Sequence, residues 1–492
     1  MTQSIIIVPI YGIGGIGKTT LAKLIFNDIQ FKDYSRVWIS VSQIFNLNKI
    51  GNSIISQLSR EKSNADERNR LVQLLIDTNK ELMVVLDDLW EENDSQLNEL
   101  KAMLRVIKSG KVVVIVTTRD ERIARKICTV QPYKLLPLSH DVLGYNKTKK
   151  DDKEDLEQIG KDIAVKCGGV ALAAQTLGYM LKSLNFGEWE SVRNSDIRDA
   201  STLEDECSMH RNVLACLLLS YSSMLPALKL CFAYCVFFPK GHKIVKDDLI
   251  YKWIAHGFVM PSGMFSARQI GRNYAKQLLG MSFLQHSKAS SVTRLHRDDV
   301  TLFSMHDLVH ELVRLVMVGD VLDVSKSVSI GKSCRYAIRA LRFLGYGGIE
   351  LRGIAFSSAK YLRVLDLSEC YIPKLPNCIG KLKQLRYLNA QRVQCKVMPK
   401  GMTKLTKLIY LNLRGSMITT LPKSTGQTKG LMHLDLSYCL KIVKLPESFV
   451  ELKELCHCVK GTVKALGGLT KLQYLDLSRT LEGNFCQNCK RS

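Results

Sequence analysis

The run Gly12-Ile13-Gly14-Gly15-Ile16-Gly17-Lys18-Thr19-Thr20 fits the spacing G-x-x-x-x-G-K-[ST]. An apolar stretch, Ile5–Ile10, precedes it, and the pattern that follows predicts a helix over Lys18–Asp28. Glycines in such a strand–helix turn let backbone N–H groups converge on phosphate oxygens, and the helix N-terminus adds partial positive charge. Gly12, Gly14, Gly15 and Gly17 are therefore candidate cradle residues. Lys18 would reach the β-phosphate and any γ-phosphate, Thr19 would offer its hydroxyl to Mg²⁺, and Thr20 would meet the α-phosphate. The alternative is a glycine-rich turn without a ligand.

Two further apolar segments end in polar tips. Met83-Val84-Val85-Leu86 runs into Asp87-Asp88, and Val112–Val116 runs into Thr117-Thr118-Arg119. Asp87 suits Mg²⁺ coordination, and Asp88 is placed to orient or deprotonate an attacking water. Otherwise the pair caps the next turn. In an open parallel sheet ligands lie at the carboxyl ends of the strands, so Arg119 is expected near the phosphates, as a γ-phosphate sensor. A surface arginine opening a helix is the other reading. Strands at Ile5–Ile10, Val37–Val41, Leu82–Leu86 and Val112–Val116 alternate with helices, which argues for a parallel α/β sheet. After a charged stretch, Lys147–Asp155, the segments Leu156–Leu184 and Val213–Lys229 read as helices. Lys243–Met260 and Arg268–Gln285 continue this mixed helical part, which ends near Val318.

The last third repeats. Leu365, Leu388, Leu411 and Leu434 are each 23 residues apart, and each is preceded by a Leu at −3 and followed by an apolar residue at +2. An L-x-x-L-x-L core at this period is the leucine-rich-repeat signature, one short strand per unit with its leucines turned inward. Spacings of 3 and then 2 do not keep a helical period. A degenerate unit passes through Leu455 and Cys458, and another through Leu472, Leu475 and Leu477. Leu375-Pro376, Met398-Pro399, Leu421-Pro422 and Leu445-Pro446 close successive units. Tyr387, Tyr410, His433 and Tyr474 share one repeat position, expected on the exposed strand face. They form either a binding stripe or a ladder packed strand to strand.

The chain has 492 residues, a net charge of +24 and 46% hydrophobic residues, ordinary globular usage that excludes disorder as the general state. Residues 331–492 carry 28 basic and 9 acidic side chains, +19 of the total, so the charge belongs to the repeats. Ile5–Ile10 lacks the features of a secretory signal, and Val213–Phe238, the longest apolar region, is interrupted by Ser222, Ser223, Pro226 and Lys229. No transmembrane segment is expected, and the fifteen cysteines are expected to be reduced. Cys456, Cys458, Cys486 and Cys489 only superficially resemble a zinc site, and Cys231 and Cys235 read as core.

With these motifs in order, the chain resembles plant intracellular immune receptors of the nucleotide-binding (NB-ARC) leucine-rich-repeat family. Arg36-Val37-Trp38-Ile39-Ser40-Val41-Ser42 is similar to the family block after the phosphate loop. Leu86-Asp87-Asp88-Leu89-Trp90 resembles its second kinase motif, with Trp90 pointing to the coiled-coil branch. Cys167-Gly168-Gly169-Val170-Ala171-Leu172-Ala173 corresponds to the Gly-Leu-Pro-Leu block. Cys231–Cys235 with Phe237-Phe238-Pro239, and Met305-His306-Asp307-Leu308-Val309-His310, match blocks opening and closing a winged-helix part. The resemblance implies an ADP/ATP switch with Mg²⁺, in which ADP holds a closed state. It implies that Leu172 lines the nucleotide pocket, that His306 touches the ADP β-phosphate and that Asp307 holds its loop. Any ATP turnover would be slow and would reset the switch. The implied extents are a phosphate-loop domain (1–138), a helical subdomain (139–210), a winged-helix subdomain (211–325), repeats (335–480) and a tail (481–492). The implied partners are a pathogen effector or guarded host protein at the repeats, with self-association or a partner receptor besides. The expected location is the cytoplasm, with the membrane periphery or nucleus as alternatives.

Three departures count. Ala171 replaces the proline on the adenine side of the family pocket. His140–Asp155 is charged where the family has an aromatic-containing block. Gly12 lies only eleven residues from the first residue, so an upstream adenine-contacting segment and a signalling domain are expected to be missing. These support a rival reading, an interaction protein (helper, decoy or nonfunctional fragment) without a working switch. Nucleic-acid binding through the basic repeats is a third reading and is not expected, because Lys243–Trp253 is only modestly basic.

Overall fold

The computed structural model describes residues 5–41, 45–58, 81–105, 111–138, 153–195, 208–287, 301–316, 339–342, 359–439, 441–442, 446–452, 455, 457–459 and 474–476. In chain order the α/β part runs β1 (Ile5–Tyr11), α1 (Lys18–Phe26), β2 (Ser35–Ser40), α2 (Leu47–Leu58), β3 (Leu82–Asp87), α3 (Asp94–Arg105), β4 (Val112–Thr118), α4 (Glu121–Ile127) and β5 (Tyr133–Lys134). Helices α5 (Lys153–Lys166), α6 (Ala171–Leu181), α7 (Phe186–Asn194), α8 (Ser208–Ser222) and α9 (Pro226–Ala233) follow. Next come β6 (Ile244–Val245), α10 (Lys246–His256), α11 (Ala267–Gly280), β7 (Gln285–Ser287), β8 (Leu302–Ser304) and α12 (Asp307–Val316). The repeats contribute β9 (Ala340–Arg342), β10 (Val364–Asp366), β11 (Tyr387–Asn389), β12 (Tyr410–Asn412), β13 (His433–Asp435), β14 (His457–Val459) and β15 (Tyr474–Asp476). These form two compact units. One holds residues 1–246 and 274–317, the other 247–273 and 318–492.

In the first unit, five parallel strands lie in the order β2-β3-β4-β1-β5. Every residue of β3 is buried, as its unbroken apolar run requires of a strand covered on both faces. Val84 and Leu86 pack on one side with Leu97, Leu100 and Leu104 of α3, while Met83 and Val85 pack on the other with Ala22 of α1. The carboxyl ends of β1, β3 and β4 thus fall on one edge. Each long helical segment expected from the sequence is broken in two. Gly168 (φ 58°) and Gly169 (φ 72°) end the first helix of Leu156–Leu184, and Pro226 opens a new helix as its first residue. Lys243–Met260 likewise holds a short strand, β6, in the antiparallel sheet β6-β8-β7, before α10 begins.

In the second unit seven parallel strands stack in sequence order from β9 to β15. Leu365, Leu388, Leu411 and Leu434 are paired neighbours, and they and the flanking leucines are almost wholly buried in one continuous core. Pro376, Pro399, Pro422 and Pro446 each precede a 3₁₀ turn, so the recurrent Leu-Pro step marks where the chain turns back. Lys374, Lys381, Lys383, Lys404, Lys407 and Lys423 are exposed.

The aromatic column is where expectation and structure part. Tyr387, Tyr410 and His433 are 0%, 5% and 8% exposed. Their rings stack at 4.3 and 4.4 Å, nearly parallel, and Tyr251 of α10 lies 5.2 Å from both Tyr410 and His433. Lys252 of α10 bridges Asp248 (2.8 Å) and Asp366 (2.7 Å), and the Tyr387 hydroxyl donates to Asp248. The stripe is a packed ladder roofed by a helix. Of Tyr474 and Cys458 only the backbone is described, and residues 147–152, Cys456, Cys486 and Cys489 lie outside the described residues, as does the expected end near Val318. Among the described residues no helix is long and apolar enough to cross a membrane, and no disulfide occurs.

Candidate functional site

The turn between β1 and α1 is shaped by backbone geometry that L side chains resist. Gly17 (φ 116°) caps α1, and Gly15 (φ 77°) holds a left-handed conformation in which a Cβ would be strained and would press on Cβ of Leu172 at 3.0 Å. Lys18, buried at 8% exposure, curls under the loop and donates to the carbonyls of Gly12 (2.8 Å) and Ile13 (2.9 Å). Burial first, then the like charge of Arg119, brings its ammonium down to about 8. Thr20 is exposed on the first turn of α1. Leu172 lies under the loop, and its N–H donates to the Gly15 carbonyl (3.1 Å).

At the tip of β3, Asp87 accepts hydroxyl bonds from Thr19 (2.8 Å) and from Thr117 of β4 (2.7 Å). Burial pushes its carboxyl above the usual range, against the pull of Thr117 and Thr19. Octahedral Mg²⁺ with oxygens at about 2.05 Å sets adjacent ligand oxygens about 2.9 Å apart. The spacing of the Thr19 hydroxyl and the Asp87 oxygen fits two neighbouring corners of such a shell. Asp88 follows in a left-handed conformation (φ 65°) that is costly without glycine, its N–H donating to the Thr117 hydroxyl at 2.8 Å. Among the described residues no set of three His, Cys, Asp or Glu side chains could hold a metal by itself. A bound Mg²⁺ would therefore draw its remaining oxygens from phosphate and water.

Arg119, just beyond β4, reaches over the loop. A Cβ on Gly14 would meet its guanidinium at 3.0 Å. It stacks on Trp90 (5.0 Å to the ring centre) and pairs with Asp307, at the first turn of α12. His306 comes to the same place. Its Nδ1 stands 2.7 Å from an Asp307 oxygen. Burial and then the charges of Arg119, Lys18 and Lys240 drive the imidazole down to about 3, so it is neutral at pH 7. Downstream, His310 anchors α12 to the Phe238 carbonyl (2.9 Å).

Lys18, Thr19, Asp87, Asp88, Arg119, Leu172, His306 and the glycines therefore share one neighbourhood, as their sequence spacings alone could not reveal. Thr117, Leu308 and Lys243 were not singled out. Thr117 orients Asp87, and Leu308 contacts the loop at Gly14. Lys243 feels Lys23 and Asp87, and burial lowers its ammonium. Thr117, at a strand tip beside Arg119, and Leu308, inside the Met305–His310 block, left a signal in the sequence, and Lys243 left none. The site is cationic around two strand-end carboxylates, an arrangement that can bind a phosphate chain with its metal.

Comparisons with known proteins agree with this architecture. The NB-ARC domain family matches residues 1–141, the disease resistance protein winged helix domain 237–313, and a leucine-rich repeat region 338–491. The chain is 34% identical to disease resistance protein RGA2 of Solanum bulbocastanum over 77% of its own length and 39% of that protein. It is 28% identical to disease resistance RPP13-like protein 4 of Arabidopsis thaliana, over 75% of this chain and 46% of that one. It thus spans less than half the length of these relatives. Among solved structures, a Signal Transduction ATPase with Numerous Domains protein from Pyrococcus horikoshii aligns with a TM-score of 0.38 and 17% identity, covering 63% of this chain and 40% of that one. By its domains and its relatives, the chain belongs to the plant disease-resistance NB-ARC leucine-rich-repeat protein family.

Proposed function

We propose that the chain is a nucleotide-dependent switch in plant defence, with ADP or ATP and Mg²⁺ at the phosphate loop. The observation that carries this reading is the ion pair of Arg119 with Asp307, set directly over the loop. A γ-phosphate at Lys18 would attract the same guanidinium, so the nucleotide state would decide whether Arg119 serves Asp307 or the phosphate. Bound Mg²⁺ would neutralise phosphate charge, with Thr19 and Asp87 as its protein ligands. Asp88 is the candidate for orienting water in slow hydrolysis. Partners, a pathogen effector or a guarded host protein, would engage the repeats, and the expected location is the cytoplasm.

The experiment is to purify the chain, identify bound nucleotide by mass spectrometry and measure ADP and ATP affinity by calorimetry. Lys18→Ala is expected to abolish tight binding. Unchanged affinity in that variant would sink the assignment. Ala171 favours a second reading, an interaction protein without nucleotide. A well-folded preparation free of nucleotide and indifferent to added ADP is the result that reading requires.

A further inference from the structure

Helix α5 ends on a cysteine that meets another in the interior of the first unit. Cys167 directly follows α5 and Cys216 lies midway along α8, with exposures of 2% and 0%. The Cys216 sulfur stands 3.8 Å from the Lys166 carbonyl oxygen, within the peptide unit that joins Lys166 to Cys167. The Cys167 sulfur leans back along its own helix, 3.7 Å from the Ile163 carbonyl oxygen. The two thiols are in hydrogen-bond contact, Cys216 donating to Cys167. That bond favours the Cys167 thiolate and outweighs burial, drawing Cys167 below the usual thiol range. The same bond, and then burial, hold Cys216 protonated.

Cys231 and Cys235 show what this pair has that others lack. They stand four residues apart along consecutive helical turns, the Cys235 sulfur 3.7 Å from the Cys231 carbonyl oxygen. Such neighbours have Cβ atoms about 5–6 Å apart, whereas a disulfide needs about 3.5–4.5 Å. Burial pushes both of those thiols up, Cys235 to about 12. Cys167 and Cys216 come from two different helices, which frees them of that constraint. Their position also matters. Cys167 opens the turn that runs beneath the phosphate loop. The Gly169 carbonyl accepts from the Leu138 N–H (2.9 Å), and the Leu172 N–H donates to the Gly15 carbonyl (3.1 Å).

We propose that Cys167 and Cys216 are a paired modification site, closed to a disulfide by a peroxide and reopened by a dithiol, which fastens the turn beneath the phosphate loop to α8. The Cys167 thiolate attacks one oxygen of hydrogen peroxide, the O–O bond breaks, and a sulfenic acid forms with release of hydroxide, which takes up a proton to become water. The Cys216 sulfur then attacks the sulfenic sulfur. The S–S bond forms, and the leaving hydroxyl departs as water with the Cys216 proton. Two thiols and one peroxide thus give one disulfide and two waters. A dithiol reverses this by exchange, its own two sulfurs ending oxidised and its two protons passing to Cys167 and Cys216. Both thiols are buried, so the oxidant reaches them through local opening of the helix pair, and closure is slower than oxidation of an exposed thiol.

The test treats the full folded chain overnight with hydrogen peroxide, confirms by circular dichroism that it stays folded, and digests it without reduction. Mass spectrometry should find the Cys167 and Cys216 peptides linked, and dithiothreitol should release them. No linked peptide, or Cys167 joined as abundantly to other cysteines, overturns the proposal. In Cys216→Ala the Cys167 sulfenic acid has lost its partner and should be trapped by dimedone, and an unreactive Cys167 there counts against the order of steps. Should that variant not fold, Cys167→Ala with dimedone at Cys216 makes the reverse comparison, and no trapping is expected. The fastening has its own readout. Oxidation should slow release of a fluorescent ADP analogue about fivefold or more, the low end of ordinary coupling between sites, and Cys216→Ala should show no such change. Equal release from oxidised and reduced chains overturns the fastening. That measurement alone rests on the loop holding nucleotide: a chain that binds no ADP defeats the nucleotide reading, and the linked peptide then decides the disulfide.

Discussion

At the residue scale, the phosphate loop depends on groups that each do one thing. Thr19 and Asp87 meet through a single hydroxyl bond of 2.8 Å, at the spacing a shared Mg²⁺ would need. Thr19→Val should therefore leave nucleotide binding without metal nearly intact and remove the gain that Mg²⁺ brings, read as equal affinities with Mg²⁺ and with EDTA. His306 sets a pH dependence whose sign is fixed. Its midpoint is about 3 when folded, against about 6.5 when unfolded. Below pH 6.5 the unfolded chain takes up a proton that the folded chain refuses, so this residue makes stability fall as pH drops from 6.5 towards 3. His306→Gln should flatten the denaturant-unfolding curve against pH by up to about 1.4 kcal/mol per pH unit in that window. Most of these residues were legible beforehand, because strand-end carboxylates and a glycine-rich turn carry their chemistry in a few adjacent letters. Arg119 facing Asp307 was not, since neither letter names its partner across nearly two hundred residues.

At the scale of elements, the leucine columns were readable because each strand repeats the same short demand for burial, and the sheet answers it in register. The roof over the aromatic column was not readable. Helix α10 looks like an ordinary core helix, and Lys252 like an ordinary charged position. Only the fold brings Lys252 within 2.7 Å of Asp366, 114 residues away. Burial alone would raise the Asp366 carboxyl, but Lys252 and Arg342 outweigh it and hold it at about 2. Lys252→Met leaves that carboxylate with Arg342, at 3.7 Å, as its cation and should cost up to about 3–5 kcal/mol in chemical denaturation, the range for breaking a buried pair. A loss below about 1 kcal/mol would mean that water reaches Asp366.

At the scale of the molecule, two compact units divide the chain, and the break falls inside the region that sequence assigns to one winged-helix subdomain. The phosphate site, with α12, lies wholly in the first unit. Asp307→Val should free Arg119 and loosen ADP retention, seen as faster exchange of a fluorescent ADP analogue, and should activate a chain able to signal. If ADP exchange is unchanged and signalling stays silent, the closing role of Asp307 is wrong. The second unit carries a different consequence. Helix α10 already occupies the strand face that carries Tyr387, Tyr410 and His433. A protein that reads those side chains must compete with a ligand at permanent, intramolecular concentration. Its apparent dissociation constant is the intrinsic one divided by the fraction of molecules with that face vacant, so each step of about 1.4 kcal/mol holding the helix down weakens the visitor tenfold.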